Sequence, residues 1–361
     1  MKFPSCSKEK PISTLLIYGA NGYSGRQIVA NAVARGIRPI VAGRNAQQIE
    51  AVGKEFGLEH RCFDLGDAAA VNKGLAGVQV VLHCAGPFSA TSRPMLDACL
   101  RVGAHYLDIT GEYRIFEAIA DRDAELKRAG IMAMPGVALD IVPSDCLAAH
   151  MKRRMPDAVR LEIHIRALER LSRGTACSFI EAMGLPNVVR ENGQLVERPA
   201  GADRRLTDFS GRKIALVGMP WGDIATAWRT TGIPNIAVFM SLMPGSAPMM
   251  RLGGFLRPLL QSALTQKFLK AQARRWITGP DHAFQESEIT EFVAVAFAAD
   301  GRQCKSYLQT KEGYAFTNVS ATEIARRVLA GDYKPGYQTP GGLFGADFVL
   351  DIEGSHRTDL D

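Results

Sequence analysis

The stretch LLIYGANGYSGRQIVANAVARG, residues 15 to 36, constrains this chain more than any other. A short apolar and aromatic run leads into three glycines spaced three apart, Gly19, Gly22 and Gly25, and a helical apolar pattern follows. A strand, a tight turn and a helix packed on that strand account for all three. Gly19 permits the sharp turn, Gly22 lets backbone N–H groups approach a ligand, and Gly25 lets the helix lie close on the strand. The helix then aims its partial positive charge at whatever the turn holds, which suits a phosphate. Asn21, Tyr23 and Ser24 fill out the turn as further candidate contacts. A triple glycine alone is weak, and the bland alternative is a tight turn with no ligand. The strand–turn–helix context makes it a dinucleotide-binding signature.

The following hundred residues repeat the strand–helix pattern. Strands are expected at Thr14–Tyr18, Arg38–Ala42, Glu59–Phe63, Val78–Cys84, Ala104–Ile109 and Ile131–Met134. Helices are expected between them at Ser24–Arg35, Ala46–Phe56, Asp67–Leu75, Thr91–Val102 and Tyr113–Ala129, several closed by a glycine. Such alternation implies an α/β fold, a doubly wound parallel Rossmann sheet covered on both faces. Six strands suffice for a full dinucleotide site.

The end of the second strand reads AGRN. Proteins that prefer NAD place an acid there for the ribose 2′-hydroxyl. This chain has Arg44 instead, whose guanidinium suits a 2′-phosphate, so NADP is the expected cofactor. The plain alternative is a loop arginine with Asn45 capping the next helix. Asp64 after the third strand either accepts from an adenine amino group or serves a turn. Ala85, Gly86 and Pro87 after the fourth strand bring bare backbone toward the central ribose and nicotinamide. After the fifth strand Asp108, Thr110 and Glu112 cluster at the same edge, as catalytic groups or as helix caps.

From Pro135 the pattern changes. Ser144 is the expected N-cap of a helix over Asp145–Arg154. Val159–Leu168 alternates as a half-buried antiparallel strand, with Glu162, His164 and Arg166 on a face expected to look into a cleft. Gly174, Thr175 and Ser178 open a helix whose start is either an anion site or plain capping. Hairpins are expected at Asn192-Gly193 and Asp300-Gly301. Trp221 and Trp228 suit a pocket wall or an ordinary core. The segment Gly253–Arg275 repeats apolar residues near helical spacing among basic ones. It fits an apolar groove, a membrane surface, or a second subunit or lid, and the last is the reading taken. A helix is expected at Thr322–Ala330, and TPGGLFGADF is expected as a loop closing over the active site.

A net charge of +6 without a dense basic block argues against nucleic acid. The seven cysteines are odd in number and lack a C-x-x-C pair, which suits reduced thiols in the cytoplasm. The first thirteen residues carry no apolar signal region. Thr230–Met250 is uncharged yet interrupted by Pro234, Pro244 and Pro248, a poor membrane span. No metal-ligand spacing is visible, nor a Ser-His-Asp order or a Tyr-x-x-x-Lys pair. Hydride transfer needs positioning and one proton donor. The candidates, chosen by position, are Asp108, Glu112, Tyr113 and Asp140, with Arg166, Arg173 and Arg229 available to clamp substrate carboxylates.

Together GANGYSG, AGRN, CAGPF, YLDITGEY, PGVALDIVPSD, GTACS and TPGGLFGADF resemble the saccharopine dehydrogenase-like oxidoreductases, a group that includes saccharopine reductases and trans-acting enoyl reductases. The chain departs from the group's commoner GFDSVPSDL by reading GVALDIVPSDC, with the Asp and VPSD kept. The resemblance implies an NADP-binding Rossmann domain over 1–135, a second α/β domain with a mixed or antiparallel sheet over 136–316, and elements of 317–361 returning to the first. It implies hydride transfer at the interdomain cleft and does not fix the small-molecule substrate; the thin catalytic signature suits an imine or activated alkene, and the Gly253–Arg275 stretch allows a homodimer. A lipid-like acyl substrate, or a non-catalytic NADP-binding sensor or scaffold, are the alternatives.

Overall fold

The computed structural model describes residues 14–166, 172–241, 255–277, 285 and 288–360. Its first domain alternates β1 (Leu15–Tyr18), α1 (Tyr23–Ala34), β2 (Ile40–Gly43), α2 (Ala46–Phe56), β3 (His60–Cys62), α3 (Ala68–Gly74), β4 (Val80–His83), α4 (Phe88–Val102), β5 (His105–Asp108), α5 (Tyr113–Ala120), α6 (Asp123–Ala129) and β6 (Met132–Met134). Local signals set these bounds. Asn45 caps α2 by accepting from the Gln48 N–H at 3.0 Å, and Gly57 ends it in the left-handed conformation. The helix expected over Tyr113–Ala129 is two helices. The break at Asp121–Arg122 lets Arg122 reach Asp97 on α4 and Glu125 on α6.

The strands form one parallel sheet in the order β15-β6-β5-β4-β1-β2-β3, where β15 is Gly336–Tyr337. The central strands are wholly buried, as strands covered on both faces must be. Ile17, Val41 and Leu82 pack on one side with Ile28, Ile49 and Phe316; Leu16, Val81 and Tyr106 pack on the other with Val71, Leu96 and Ile119.

The second domain begins at α7 (Val142–Arg154), which starts earlier than expected. Pro143 occupies its first turn, and Ser144 is inside it, donating to the Ile141 carbonyl at 3.1 Å, so Ser144 is not the cap. Then come β7 (Ala158–Arg166), α8 (Arg173–Ala182), β8 (Asn187–Glu191), β9 (Gln194–Arg198), β10 (Arg204–Phe209), β11 (Arg212–Gly218), α9 (Asp223–Thr231) and β12 (Asn235–Ser241). After α10 (Arg257–Leu260) and α11 (Ala263–Trp276), β13 (Ile289–Ala298) and β14 (Gln303–Lys311) form the second expected hairpin. The first is β8–β9, with Asn192 and Gly193 both at positive φ. Leu168 and the rest of 167–171, with 242–254, lie outside the described residues.

This sheet is mixed. β7 runs parallel to β12 and antiparallel to β13. Its Glu162 and His164 do not look into a cleft. The sheet curls so that β10 covers them: Arg205 donates to Glu162 at 2.8 and 2.9 Å, and Thr207 meets His164 at 2.9 Å. A strand judged alone shows a polar face, but not the ion partners brought from forty residues away.

The chain's return to the first domain begins at α12 (Gly313–Leu329), longer than the Thr322–Ala330 helix expected. Glu312 caps it, accepting from the Tyr314 and Ala315 N–H groups. After β15 the chain leaves again. The TPGGLFGADF segment forms α13 (Pro340–Phe344) and a 3₁₀ turn at Phe348–Asp351, and β16 (His356–Asp359) pairs with β14. α13 is not a loop over the cleft. It lies on α7, so close that a Cβ on Gly341 would meet the Asp145 carbonyl oxygen at 2.6 Å. Among the described residues no helix is long and apolar enough to cross a membrane.

Candidate cofactor and substrate cleft

A cleft of about 1170 Å³ runs along the carboxyl edge of the parallel sheet and is walled on its far side by α8, the Met219–Trp221 loop and the start of α12. At one end lies the glycine turn. Gly19 sits at φ +85°, and a side chain there would strike Ala85. A Cβ on Gly25 would lie 2.2 Å from the Gly19 carbonyl oxygen, so α1 can approach β1 only with glycine at that position. Gly22 is the N-cap residue of α1 and gives it no side-chain cap, and no acid occupies the first turn. The helix N-terminus therefore offers its N–H groups and partial charge to an anion. Gly19, Asn21, Gly22, Tyr23 and Ser24 line the cleft; Gly25 supports it from behind.

Arg44 and Asn45 line the same end. The Arg44 guanidinium makes no ion pair with a described acid, while Asn45 does the capping already noted. Asp64 also lines the cleft, and it holds a turn, accepting from the Gly66 N–H at 2.8 Å. Ala85 and Gly86 are at the wall. Pro87 is not; it is the N-cap residue of α4, after a cis Gly86–Pro87 bond. These residues fit a dinucleotide: an uncapped helix terminus for the pyrophosphate, an arginine with no ion pair among the described residues for a 2′-phosphate, and near-bare backbone between.

The other end is where a nicotinamide would face substrate, and the four proton-donor candidates separate there. Asp108 is off the cleft and wholly buried. It accepts from the Tyr106 hydroxyl at 2.6 Å, the Thr110 N–H at 3.0 Å and the Gly136 N–H at 2.9 Å, pinning the β5 loop to the interdomain hinge. Tyr113 is also off it, packed against Phe116, Ile141 and Ala225. Both were placed by sequence proximity, and side-chain direction turns them away.

Glu112 and Asp140 do line the cleft. Burial pushes Asp140 up to about 7, and its carboxyl makes no hydrogen bond to a described residue. Burial, then the neighbouring Glu181 and Asp108 charges, push Glu112 up to about 7. Its carboxylate accepts from the Ser178 hydroxyl across the cleft at 3.4 Å. The two acids are held together by the second domain. Trp221 bridges its backbone to Glu112 and donates its indole N–H to the Asp140 carbonyl at 2.9 Å. Phe88, Ile109, Leu139, Phe179 and Met219 make much of the remaining wall apolar.

Of the arginines proposed as clamps, Arg166 pairs with Glu291 and Arg229 with Glu117. Arg173 alone lines the cleft, its Nε–H donating to the Ile277 carbonyl at 2.6 Å. Sequence reasoning missed Ser172, Tyr314 and Thr317. Tyr314 stacks edge-on with Tyr23 at 5.0 Å between ring centres, and its hydroxyl accepts from the Ser172 N–H at 2.6 Å and meets the Thr175 hydroxyl at 2.9 Å. The available signal was Glu312, a helix cap that places Tyr314 in the first turn of α12.

A glycine turn on a parallel sheet, opening into a cleft closed by a mixed-sheet domain, defines a two-domain dinucleotide-binding protein. Residues 15–134 match the family model of the saccharopine dehydrogenase NADP binding domain. A trans-acting enoyl reductase of Mycobacterium ulcerans is 25% identical over 200 residues, 51% of this chain and 48% of that protein. A human saccharopine dehydrogenase-like oxidoreductase is 24% identical over 162 residues, 39% of this chain and 38% of that protein. The chain's matches thus span about half the length of its enoyl reductase relatives. Apo saccharopine dehydrogenase (L-Glu forming) of Saccharomyces cerevisiae superposes with a TM-score of 0.65 at 13% identity, covering 97% of this chain and 100% of that one. The two share the fold over nearly their whole lengths.

Proposed function

We propose that this protein is an NADP-dependent oxidoreductase that reduces a polarised double bond in a largely apolar substrate held between its two domains. One observation carries the reading: a single cleft joins the phosphate turn and Arg44 to a distal end lined by two acids with raised pKa values. When bound, NADPH supplies a hydride. The chain's own residues position the substrate, exclude water and deliver the proton that completes the reduction. Asp140 is the favoured donor, because burial keeps much of it protonated near neutral pH and no described residue hydrogen-bonds its carboxyl. Glu112 backs it from the opposite domain contact. The enoyl reductase relatives and the apolar wall favour an activated alkene over an amino-acid imine. A dicarboxylate imine would need several cationic clamps, and Arg166 and Arg229 are already engaged by Glu291 and Glu117.

The test is NADPH oxidation with enoyl thioesters of increasing chain length, against imines formed from 2-oxoacids and amines. Turnover that improves with chain length supports the reading. Turnover confined to imines would replace it with the saccharopine-type reaction, and tight NADPH binding without any turnover would leave a cofactor-binding scaffold.

A further inference from the structure

Beyond the reaction, one surface is out of keeping with an ordinary solvated face. The five most exposed large apolar side chains on α10, α11 and the residues just before them are Phe255 (85% exposed), Leu264 (82%), Trp276 (70%), Phe268 (62%) and Leu259 (61%). On α11, Leu264, Phe268, Gln272 and Trp276 recur every four residues, which puts them in one stripe. Lys267, Ala271 and Arg275 form the adjoining stripe, also exposed. The opposite side of α11 is occupied by α8: Gln266 donates to the Ile180 carbonyl at 2.9 Å, and Lys270 pairs with Glu181 at 2.7 Å. The outward face is thus apolar and aromatic by design of the sequence, not through a helix left unpacked.

Charge selects what covers it. Residues 255–277 contain five Lys or Arg and no Asp or Glu. A second copy meeting this face symmetrically would set basic against basic, since a two-fold contact repeats the same patch on both sides. An anionic bilayer supplies both missing complements: acyl depth for the phenylalanines, leucines and tryptophan, and headgroup charge for Lys267 and Arg275. We infer that α10–α11 docks this protein on an anionic lipid surface, lying in the interface rather than crossing it.

The helix is also tied to the cleft. α11 rests on α8, whose Ser178, Phe179 and Ala182 line that cleft, and Arg173 at the start of α8 donates to the carbonyl of Ile277, the residue after α11. Docking therefore brings an apolar wall of the cleft to the membrane surface. This inference stands apart from the proposed reaction, and its test reads binding and not turnover.

The full chain is floated with vesicles of phosphatidylcholine alone and of phosphatidylcholine with phosphatidylglycerol. Binding is expected to the anionic vesicles only, to weaken with salt, and to fall about tenfold or more in Leu264→Glu/Phe268→Glu and in Lys267→Glu/Arg275→Glu. All four positions are exposed, so thermal melts should be unchanged. Quenching of tryptophan fluorescence by brominated phosphatidylglycerol, lost in Trp276→Phe, reads the same contact with the native face intact. No flotation of the wild type, flotation untouched by either double variant, or a solution dimer that the variants split while vesicles stay unbound would each overturn the inference.

Discussion

Replacing Asp140 with asparagine should stabilise this protein while disabling it, and the size of the effect should depend on pH in a calculable way. The carboxyl is raised from its ordinary 3.8 to about 7 by burial, with no hydrogen bond from a described residue to repay the charged form. Between those two values the folded chain holds a proton there that the unfolded chain has released. Stability therefore falls as pH rises through this window and levels off above about 7. At about 1.4 kcal/mol per pH unit, the carboxyl costs roughly 2 kcal/mol near pH 5.5 and roughly 4 kcal/mol near pH 8.5. Asparagine has nearly the same shape and no such cost. The prediction is read from urea unfolding of both proteins at the two pH values. The asparagine variant should gain about 2 kcal/mol on the wild type between the lower and the higher pH. Constant differences from the sequence change itself, and the parallel titration of Glu112, cancel in that comparison. In the same variant NADPH affinity should persist, while reduction slows by about a hundredfold or more through loss of the proton donor. A stability gap that stays flat or narrows with pH would refute the claim that Asp140 is carried protonated in the cleft.

Further expectations follow from other contacts. Wild-type reduction should decline as pH rises through about 7, where Asp140 and Glu112 lose their protons; a rate flat from acid to alkaline pH would mean that neither acid donates. Gly25→Ala should destabilise the first domain by about 2 kcal/mol or more and weaken NADPH binding, because its Cβ would fall 2.2 Å from the Gly19 carbonyl oxygen; a thermal melt and a binding titration read both. Tyr314→Phe leaves the buried Ser172 N–H without its acceptor and should cost about 1 to 3 kcal/mol in urea unfolding.

Much of the first domain was legible because its signals are local. Gly19, Gly22 and Gly25, the Asn45 cap and the Gly57 terminus each act within a few residues, and α2 falls on its expected bounds. Side-chain direction was less accessible. Asp108 and Glu112 sit four apart at the same sheet edge, yet one is pinned inward by Tyr106 and Gly136 while the other faces the cleft. The misses are long-range. Tyr314 reaches Ser172 across 142 positions, and Glu162 is covered by Arg205 only because the second sheet curls. No periodicity in either segment encodes that meeting. The exposed stripe on α11 lies between these cases: its spacing was visible in the sequence, but its outward direction required α8 to be seen on the other side.

The most direct test of the central claim is a fluorescence titration of the wild type and Arg44→Ala with NADPH and with NADH. A lost charge-assisted contact to the 2′-phosphate, at about 1.5 to 3 kcal/mol, should weaken NADPH binding roughly ten- to a hundredfold and leave NADH almost unchanged. Equal affinity of the wild type for both cofactors, or an Arg44→Ala variant that keeps the preference for NADPH, would contradict the assignment of this cleft to NADP.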